Sequence, residues 1–468
     1  LEPGFEEINF EGASLLAEIY KEQVQYSLAK QVLRQALEVT RGDKIYYWQF
    51  RLFFQLAEVY TCDKDYKAAI EVLEMGEQIA EQCGSQYMRC LFTLSKALIL
   101  LLEKDFSNAT AILSSTGTFL ERWQVQSYER ESLVVFNLFL RVWHLLCAGQ
   151  AKTVKPYLKQ LQQSIQKLTT INFDESQLKD ADKFYWLPRE YLCVLVYLVT
   201  VMHSMYAGYM DKVLKYSEKA LSQVEKLKVT TPSSLVSLLQ MMLIEHNVLC
   251  RIVQGQTPQA IKEISMIYQS LQNEPKLVAT QKPVLHTLLG LYAMSMNLME
   301  QATLQFNMAL KLGAGRPELA SFIGLNLAII YIRAGEPKQH EVRLVQSYFL
   351  GHTFLASGNP QEALQMVQPA MQLSAKIPDN YVQLWAASLL RDLFNMLGNP
   401  VQASESFRRH HNVTKQLIEN HMQARKLQEH SLTEVGVQPF HRPLSPRPGC
   451  SHDDCVLDVK ALFSAVFP

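Results

Sequence analysis

The sequence has no surplus of either charge: 45 Lys and Arg stand against 45 Asp and Glu in 468 residues. Binding a phosphate backbone draws on an excess of cations. A nucleic-acid binder acting alone is therefore not expected, and only local patches stay open. Long apolar runs are lacking as well. A helix needs about 20 apolar residues to cross a bilayer. The cleanest run, "YLCVLVYLVTVM" at 191–202, is bounded by Arg189 and Glu190 before it and His203 and Ser204 after it. No window is both longer and cleaner, which predicts a soluble chain with no membrane partner. A disulfide pattern is missing too. Of eight cysteines, the first six (Cys62, Cys83, Cys90, Cys147, Cys193, Cys250) are scattered through apolar stretches. That is how buried thiols sit in a reducing compartment. The chain begins at Leu1 without an initiator Met or a signal peptide's basic and apolar regions, so it is expected to be a piece of a longer chain.

Catalytic patterns are also wanting. "GAGRPE" at 313–318 lacks the spacing of a dinucleotide loop, follows no strand, and reads as a turn. No phosphate-binding loop and no paired-His zinc helix occurs. Cys450, His452 and Cys455, with His441, do not have the spacing of common zinc modules. His203 and His246 are single histidines on helical stretches and read as satisfied core groups. The expectation is a non-enzyme, with no catalytic residue, no metal and no cofactor.

What the chain does hold is apolar mass, 48% hydrophobic residues, arranged in a repeat. Small residues recur at one offset: Ala17 before Ala29, Ala57 before Ala69, Gly290 before Ala302, each followed by a larger residue and often a further Ala. This is the ladder of a tetratricopeptide repeat, in which helices A and B cross closely where side chains are small. The second small position falls at Ala29, Ala69, Ala109, Val154, Val213, Ala260, Ala302, His340, Ala363 and Ala403. Gly149, Gly208, Gly255, Gly335, Gly358 and Gly398 each stand five residues earlier, in the A-to-B turn, where a positive φ suits Gly. No alternating strand pattern of any length appears. The fold is expected to be all-α: a right-handed, tetratricopeptide-like superhelix of about nine to ten helix pairs over residues 1–435. The spacing predicts a long surface loop between repeats at about 169–188 and a shortened repeat at about 335–350. Residues 436–468, rich in proline, are expected to form a disordered tail.

Repeats of this class turn helix A toward a groove. The offsets six and three before, and one and four after, its small residue predict the lining. Leu94, Leu98, Phe139, Trp143, Leu198, Met202, Met205, Met242, Leu249 and Leu291 are candidates for a greasy partner-binding groove. Methionine suits such a surface because its flexible thioether adapts to irregular partners. The bland alternative is that all ten are ordinary core. A compact basic patch, "RRHHNVTK", offers Arg408, Arg409 and Lys415 for docking an acidic protein or DNA, with a solvated helix face as the alternative.

The stretches "WLPREYLCVLVYLVTVMHSMYAGY", "VKPYLKQLQQSIQ", "LHTLLGLY" and "MVQPAMQLSAKIPDNYVQLWAASLLRDL" closely resemble the MAU chromatid cohesion factor family. That resemblance runs over about residues 1–435. It implies a nuclear, chromatin-associated protein that acts in mitosis and cell division. It implies a scaffold bound to the N-terminal segment of a Nipped-B-type subunit. The pair would load cohesin onto chromatin for sister-chromatid cohesion, with contact to cohesin and chromatin indirect. The other reading is a generic repeat adaptor for a different peptide or a chaperone tail. It needs cations or Asn one residue after helix A's small residue, where Glu18, Glu58, Leu98, Trp143, Met202, Leu249, Leu291, Ile329, His352 and Asp392 stand.

Overall fold

A computed structural model of the chain describes residues 6–40, 45–123, 127–171, 184, 186–187, 189–230, 233–314, 316–333, 360–376 and 379–435. The described residues are all-α, with no strand among them. The helices run in pairs: α1 (Glu6–Glu22) with α2 (Tyr26–Thr40), α3 (Tyr46–Cys62) with α4 (Tyr66–Gln82), and α5 (Gln86–Glu103) with α6 (Phe106–Arg122). Next come α7 (Tyr128–Cys147) and α8 (Ala151–Thr170), then α9 (Arg189–Tyr206) and α10 (Met210–Thr230). After these, α11 (Ser234–Val253) pairs with α12 (Thr257–Asn273) and α13 (Pro275–Ser295) with α14 (Met299–Leu312). Helices α15 (Pro317–Arg333) and α16 (Pro360–Lys376) precede the last pair, α17 (Asn380–Met396) and α18 (Pro400–Arg425). A 3₁₀ segment, Gln428–Glu434, ends the described chain.

The small-residue ladder is the core of this arrangement. Ala29, Ala69, Ala109, Val154, Val213, Ala260, Ala302 and Ala363 are 0% exposed and Ala403 is 4%. The remaining marker, His340, and the shortened repeat expected at about 335–350 lie outside the described residues. Close crossing at these points leaves no room for growth. In α13 a Cβ on Gly290 would stand 2.6 Å from the ring of Phe306 on α14.

Every described A-to-B turn is closed by one motif. The amide four residues before the marker donates to the carbonyl five residues earlier still: Asp65 to Tyr60 (3.0 Å), Asp105 to Leu100 (2.9 Å), Tyr209 to Ser204 (2.8 Å), Asn399 to Phe394 (2.8 Å). This bond needs one residue in the left-handed region. Gly149, Gly208, Gly255 and Gly398 supply it. In the other repeats the same place holds Val24, Lys64, Lys104 and Asn297, with φ between 60° and 67°. The glycine phase seen in the sequence is thus a backbone phase, kept even where no glycine stands.

The chain divides into two compact units, Leu1–Val199 and Thr200–Leu457. Three further features bear on the expectations. First, α11 is a second long apolar segment. Its 20 residues are apolar enough to cross a membrane, but 67% of that window is buried among the other helices, as in the core helix of a globular protein. Second, the expected surface loop at 169–188 ends inside its unit, with Trp186 and Leu187 each 1% exposed. Third, the thiols are not uniformly buried. Cys90 and Cys250 are, and burial pushes both thiols up to about 12. Cys147 is exposed and Cys62, Cys83 and Cys193 are half-buried. The Pro-rich tail at 436–468 lies outside the described residues.

Candidate functional site

In the first unit the helix-A face is occupied by the chain itself. The indole of Trp186 stacks on Phe136 of α7 at 4.4 Å between centroids, 6° from parallel, and lies 6.0 Å from Phe139. Its Nε1–H donates to the carbonyl of Ser132 at 3.1 Å. Phe184 packs against Tyr47 (5.3 Å), Phe54 (5.9 Å) and Phe50 (6.4 Å) of α3. The Tyr87 hydroxyl of α5 donates to the Phe184 carbonyl. A buried indole with its N–H satisfied is a well-built contact. The signal for it stood in the sequence as "FYW", three aromatics closing an otherwise polar stretch.

The predicted lining of this unit is accordingly enclosed. Leu94 and Leu198 are 0% exposed and belong to the core rather than to any surface. Leu98, Phe139 and Trp143 are between 4% and 5% exposed. At the first two repeats the face is ionic instead. Lys21 Nζ lies 2.7 Å from both Glu18 and Glu58, and Glu58 is 1% exposed. Burial by itself lowers the Lys21 pKa, but Glu58 and Glu18 outweigh it and hold the ammonium charged. Acidic groups at this face disfavour a chaperone-tail carboxylate. A cleft of about 580 Å³ opens between α6, α7 and α8, floored by Asn137 and Arg141. Its cations are already engaged: Arg130 with Glu131 (2.5 Å) and the Leu120 carbonyl (3.1 Å), Arg141 with the Leu113 carbonyl (2.8 Å).

The second unit's helix-A face is closed only in part. Met202, Met242 and Leu291 are buried, each 8% exposed, while Met205 and Leu249 are half-buried. Leu249, Ile252 and Met294 are partly buried against a core of Phe306, Ala302, Ala309, Ile323 and Leu327. Among these apolar groups stands one acid, half-buried Glu245 of α11. Desolvation pushes its carboxyl above the usual carboxylate range, with the charges of His246 and Arg316 opposing. The arrangement offers apolar contact and a single carboxylate. Acid–base catalysis uses paired, positioned groups, and no described pair of that kind stands here. Among the described residues no group of three or more His, Cys, Asp or Glu is placed to hold a metal.

The chain's last helices fasten onto this unit through contacts without a sequence signal. Asn380 Nδ2 donates to the Gln254 carbonyl (2.8 Å), and Asn420 Nδ2 to the Gly255 carbonyl (3.0 Å). Gln305 Nε2 donates to the carbonyls of Thr433 (2.9 Å) and Val435 (2.7 Å). Its Oε1 lies 2.7 Å from Nδ1 of His286. Tyr292 Oη and His430 Nδ1 are 2.9 Å apart. The basic patch rides on α18. Arg408 and Lys415 are exposed, but Arg409 is paired with Glu405 at 2.6 Å. The structure thus brings together Met202, Met205, Met242, Leu249 and Leu291 within one unit, and sets Arg408 and Lys415 apart from them on a different helix.

A family model described as "Cohesin loading factor" matches residues 3–347. A Nematostella vectensis protein named MAU2 chromatid cohesion factor homolog is 61% identical, over 92% of this chain and 81% of its own length. A protein of the same name from Aedes aegypti is 37% identical, over 92% of this chain and 79% of its own. Among solved structures, a Rap protein complexed with competence and sporulation factor is similar at a TM-score of 0.41 and 13% identity, covering 88% of this chain and 99% of that one.

Proposed function

Since the chain belongs to the cohesin loading factor family and so has a role in cohesin loading, we propose that it is the non-enzymatic scaffold subunit of the loading complex. In this reading it acts in the nucleus. It holds the N-terminal segment of a Nipped-B-type subunit on the helix-A face of its second unit and supports sister-chromatid cohesion. The observation that carries the reading is the row Met202, Met205, Met242, Leu249 and Leu291, with half-buried Ile252 and Met294 beside it. Met205, Leu249, Ile252 and Met294 are the half-buried members of this row and gain by covering. Each buried Leu or Met contributes roughly 1.5–3 kcal/mol. An extended segment that orders on binding loses chain entropy, and several such contacts exceed that loss.

The test is co-expression of the full chain with that segment, followed by gel filtration. A one-to-one complex is expected, with Leu249→Asp and Met205→Asp releasing the segment from a chain that still folds by circular dichroism. If the wild-type chain and the segment elute apart, the reading is wrong. If the complex survives both aspartate variants, the partner lies on another face.

A further inference from the structure

Helix α15 extends the second unit's helix-A face with side chains more exposed than Met205 or Leu249. Counted from Ala328, the small residue of α15, Phe322 stands six before, Leu325 three before and Ile329 one after. These are the offsets that line a groove. Phe322 is 43% exposed, Leu325 is 41% exposed and Ile329 is half-buried. At about 100° per residue the three share one stripe about 60° wide, with no polar residue between them on that face. The other side of the helix is core. Ile323, Leu327 and Ile330 belong to one cluster with Leu291 of α13, and Leu249, Ile252 and Met294 pack against that cluster. The stripe on α15 therefore continues the half-buried row of α11 and α13.

One polar group stands beside the stripe. Asn326, about 40° around the helix from Phe322, is 8% exposed. Its Nδ2 donates to the Phe322 carbonyl at 2.8 Å. That bond fixes which end of the amide is nitrogen. Oδ1 and the second Nδ2–H make no hydrogen bond among the described residues. Buried amides are normally satisfied. A donor and an acceptor side by side match the C=O and N–H of an extended main chain. A helical ligand has no such groups to give, because its own ladder uses them. We infer that α15 anchors the segment held on this face. Phe322 and Leu325 enclose one large apolar side chain of an extended stretch, and the Asn326 amide pairs with the main chain beside it. The inference rests on the reading that this face holds the N-terminal segment of a Nipped-B-type subunit. The stretch that meets α15 is uncharged. From Leu319 to Ile332 the helix carries no charged residue, so a Lys or Asp covered there would lack a counter-charge.

The test measures binding of the intact segment to the full chain by titration calorimetry. Phe322→Ser and Leu325→Asp should each weaken it at least about tenfold. Both residues are exposed, and unchanged circular dichroism separates a lost surface from a lost fold. The sharper measurement uses the shortest stretch of the segment that still binds, N-methylated at one amide at a time. At one position the methyl group should weaken binding about threefold to tenfold, the loss of one hydrogen bond. In the Asn326→Leu chain that penalty should largely vanish. An asparagine that only stiffens α15 gives no such coupling. If Phe322→Ser and Leu325→Asp leave the segment bound while Leu249→Asp releases it, α15 is no anchor and the loading reading stands. Penalties from N-methylation that are the same in the wild-type and Asn326→Leu chains overturn the main-chain contact. A dimer of the chain that Leu325→Asp dissociates in sedimentation, with affinity for the segment unchanged, gives the stripe to a second copy and overturns the proposal. A wild-type chain that does not bind the segment at all refutes both readings.

Discussion

Replacing Gly290 by Ala gives the most direct reading of how tightly the helix pairs are built. The new Cβ would stand 2.6 Å from Cε1, 2.7 Å from Cδ1 and 3.0 Å from Cγ of Phe306. Carbon atoms at optimal separation stand about 3.5–4.0 Å apart. Phe306 is 0% exposed within a packed cluster, so its ring has no free space to enter. Overpacking of this kind costs about 1–3 kcal/mol. Against it, Ala is favoured over Gly inside a helix by about 1 kcal/mol. The net expectation is a loss of about 1 kcal/mol for Gly290→Ala in the wild-type chain. Phe306→Leu removes the ring edge and should itself destabilise, through lost burial. In that background Gly290→Ala no longer clashes and should become stabilising, by up to about 1 kcal/mol. The two substitutions therefore couple favourably by about 2 kcal/mol, within the range neighbouring residues show. Urea unfolding followed by circular dichroism, on the wild-type chain, both single variants and the double variant, measures this. The reasoning fails if Gly290→Ala stabilises the wild-type chain, or if it destabilises the Phe306→Leu chain just as much.

Three other outcomes follow from the same contacts. Val24 has φ 60° and is a β-branched residue in the left-handed region. Val24→Gly should raise stability by about 0.5–1 kcal/mol, the strain relieved less the entropy of glycine, and an unchanged melting temperature would count against the turn geometry. Trp186→Ala should destabilise by about 3–5 kcal/mol, as loss of a buried Trp does, and Tyr87→Phe by about 1 kcal/mol. Melting curves that match the wild type would place Phe184 and Trp186 outside their unit. His286 is 1% exposed, and burial lowers its pKa although the hydrogen bond with Gln305 opposes the shift. The unfolded chain then takes up the proton first, near the ordinary histidine value of about 6.5. The stabilisation is complete above that value and is lost as pH falls below it toward the folded pKa. His286→Asn should therefore flatten the stability profile between about pH 7 and 5, and an unchanged slope would assign the acid sensitivity to other groups.

Local features of the chain were legible because local physics sets them. Ala29, Ala69 and Ala260 had to be small where two helices cross, and the structure buries each at 0%. The turn glycines had to reach a positive φ, and those in the described residues do. The same rule hid half of its instances. Val24, Lys64, Lys104 and Asn297 adopt the identical turn without the residue that advertises it. A hydrogen-bonded loop closed on both sides by packed helices can hold such strain, so composition under-reports geometry.

The candidate surface was legible only in part, for a different reason. Helix-A offsets pick out the row from Met202 to Leu291 as candidates, because side-chain direction on a helix is periodic. They could not say which rows another part of the chain would cover. Periodicity treats Phe136 and Phe139 as equivalent to Met242 and Leu249, yet the first two lie under Trp186. What separates them is a contact between α7 and a residue some 50 positions later, and only three dimensions reveal it. The same holds for α18, where "RRHHNVTK" read as one basic patch. Arg409 turns to Glu405, and exposed Glu419 stands one turn after Lys415. Charge in a sequence counts groups, but a docking surface depends on which of them share a helix face with apolar area still uncovered. On that criterion the first unit has largely satisfied its own helix-A face, while the second leaves Met205, Leu249, Ile252 and Met294 half-buried around a single acid, Glu245.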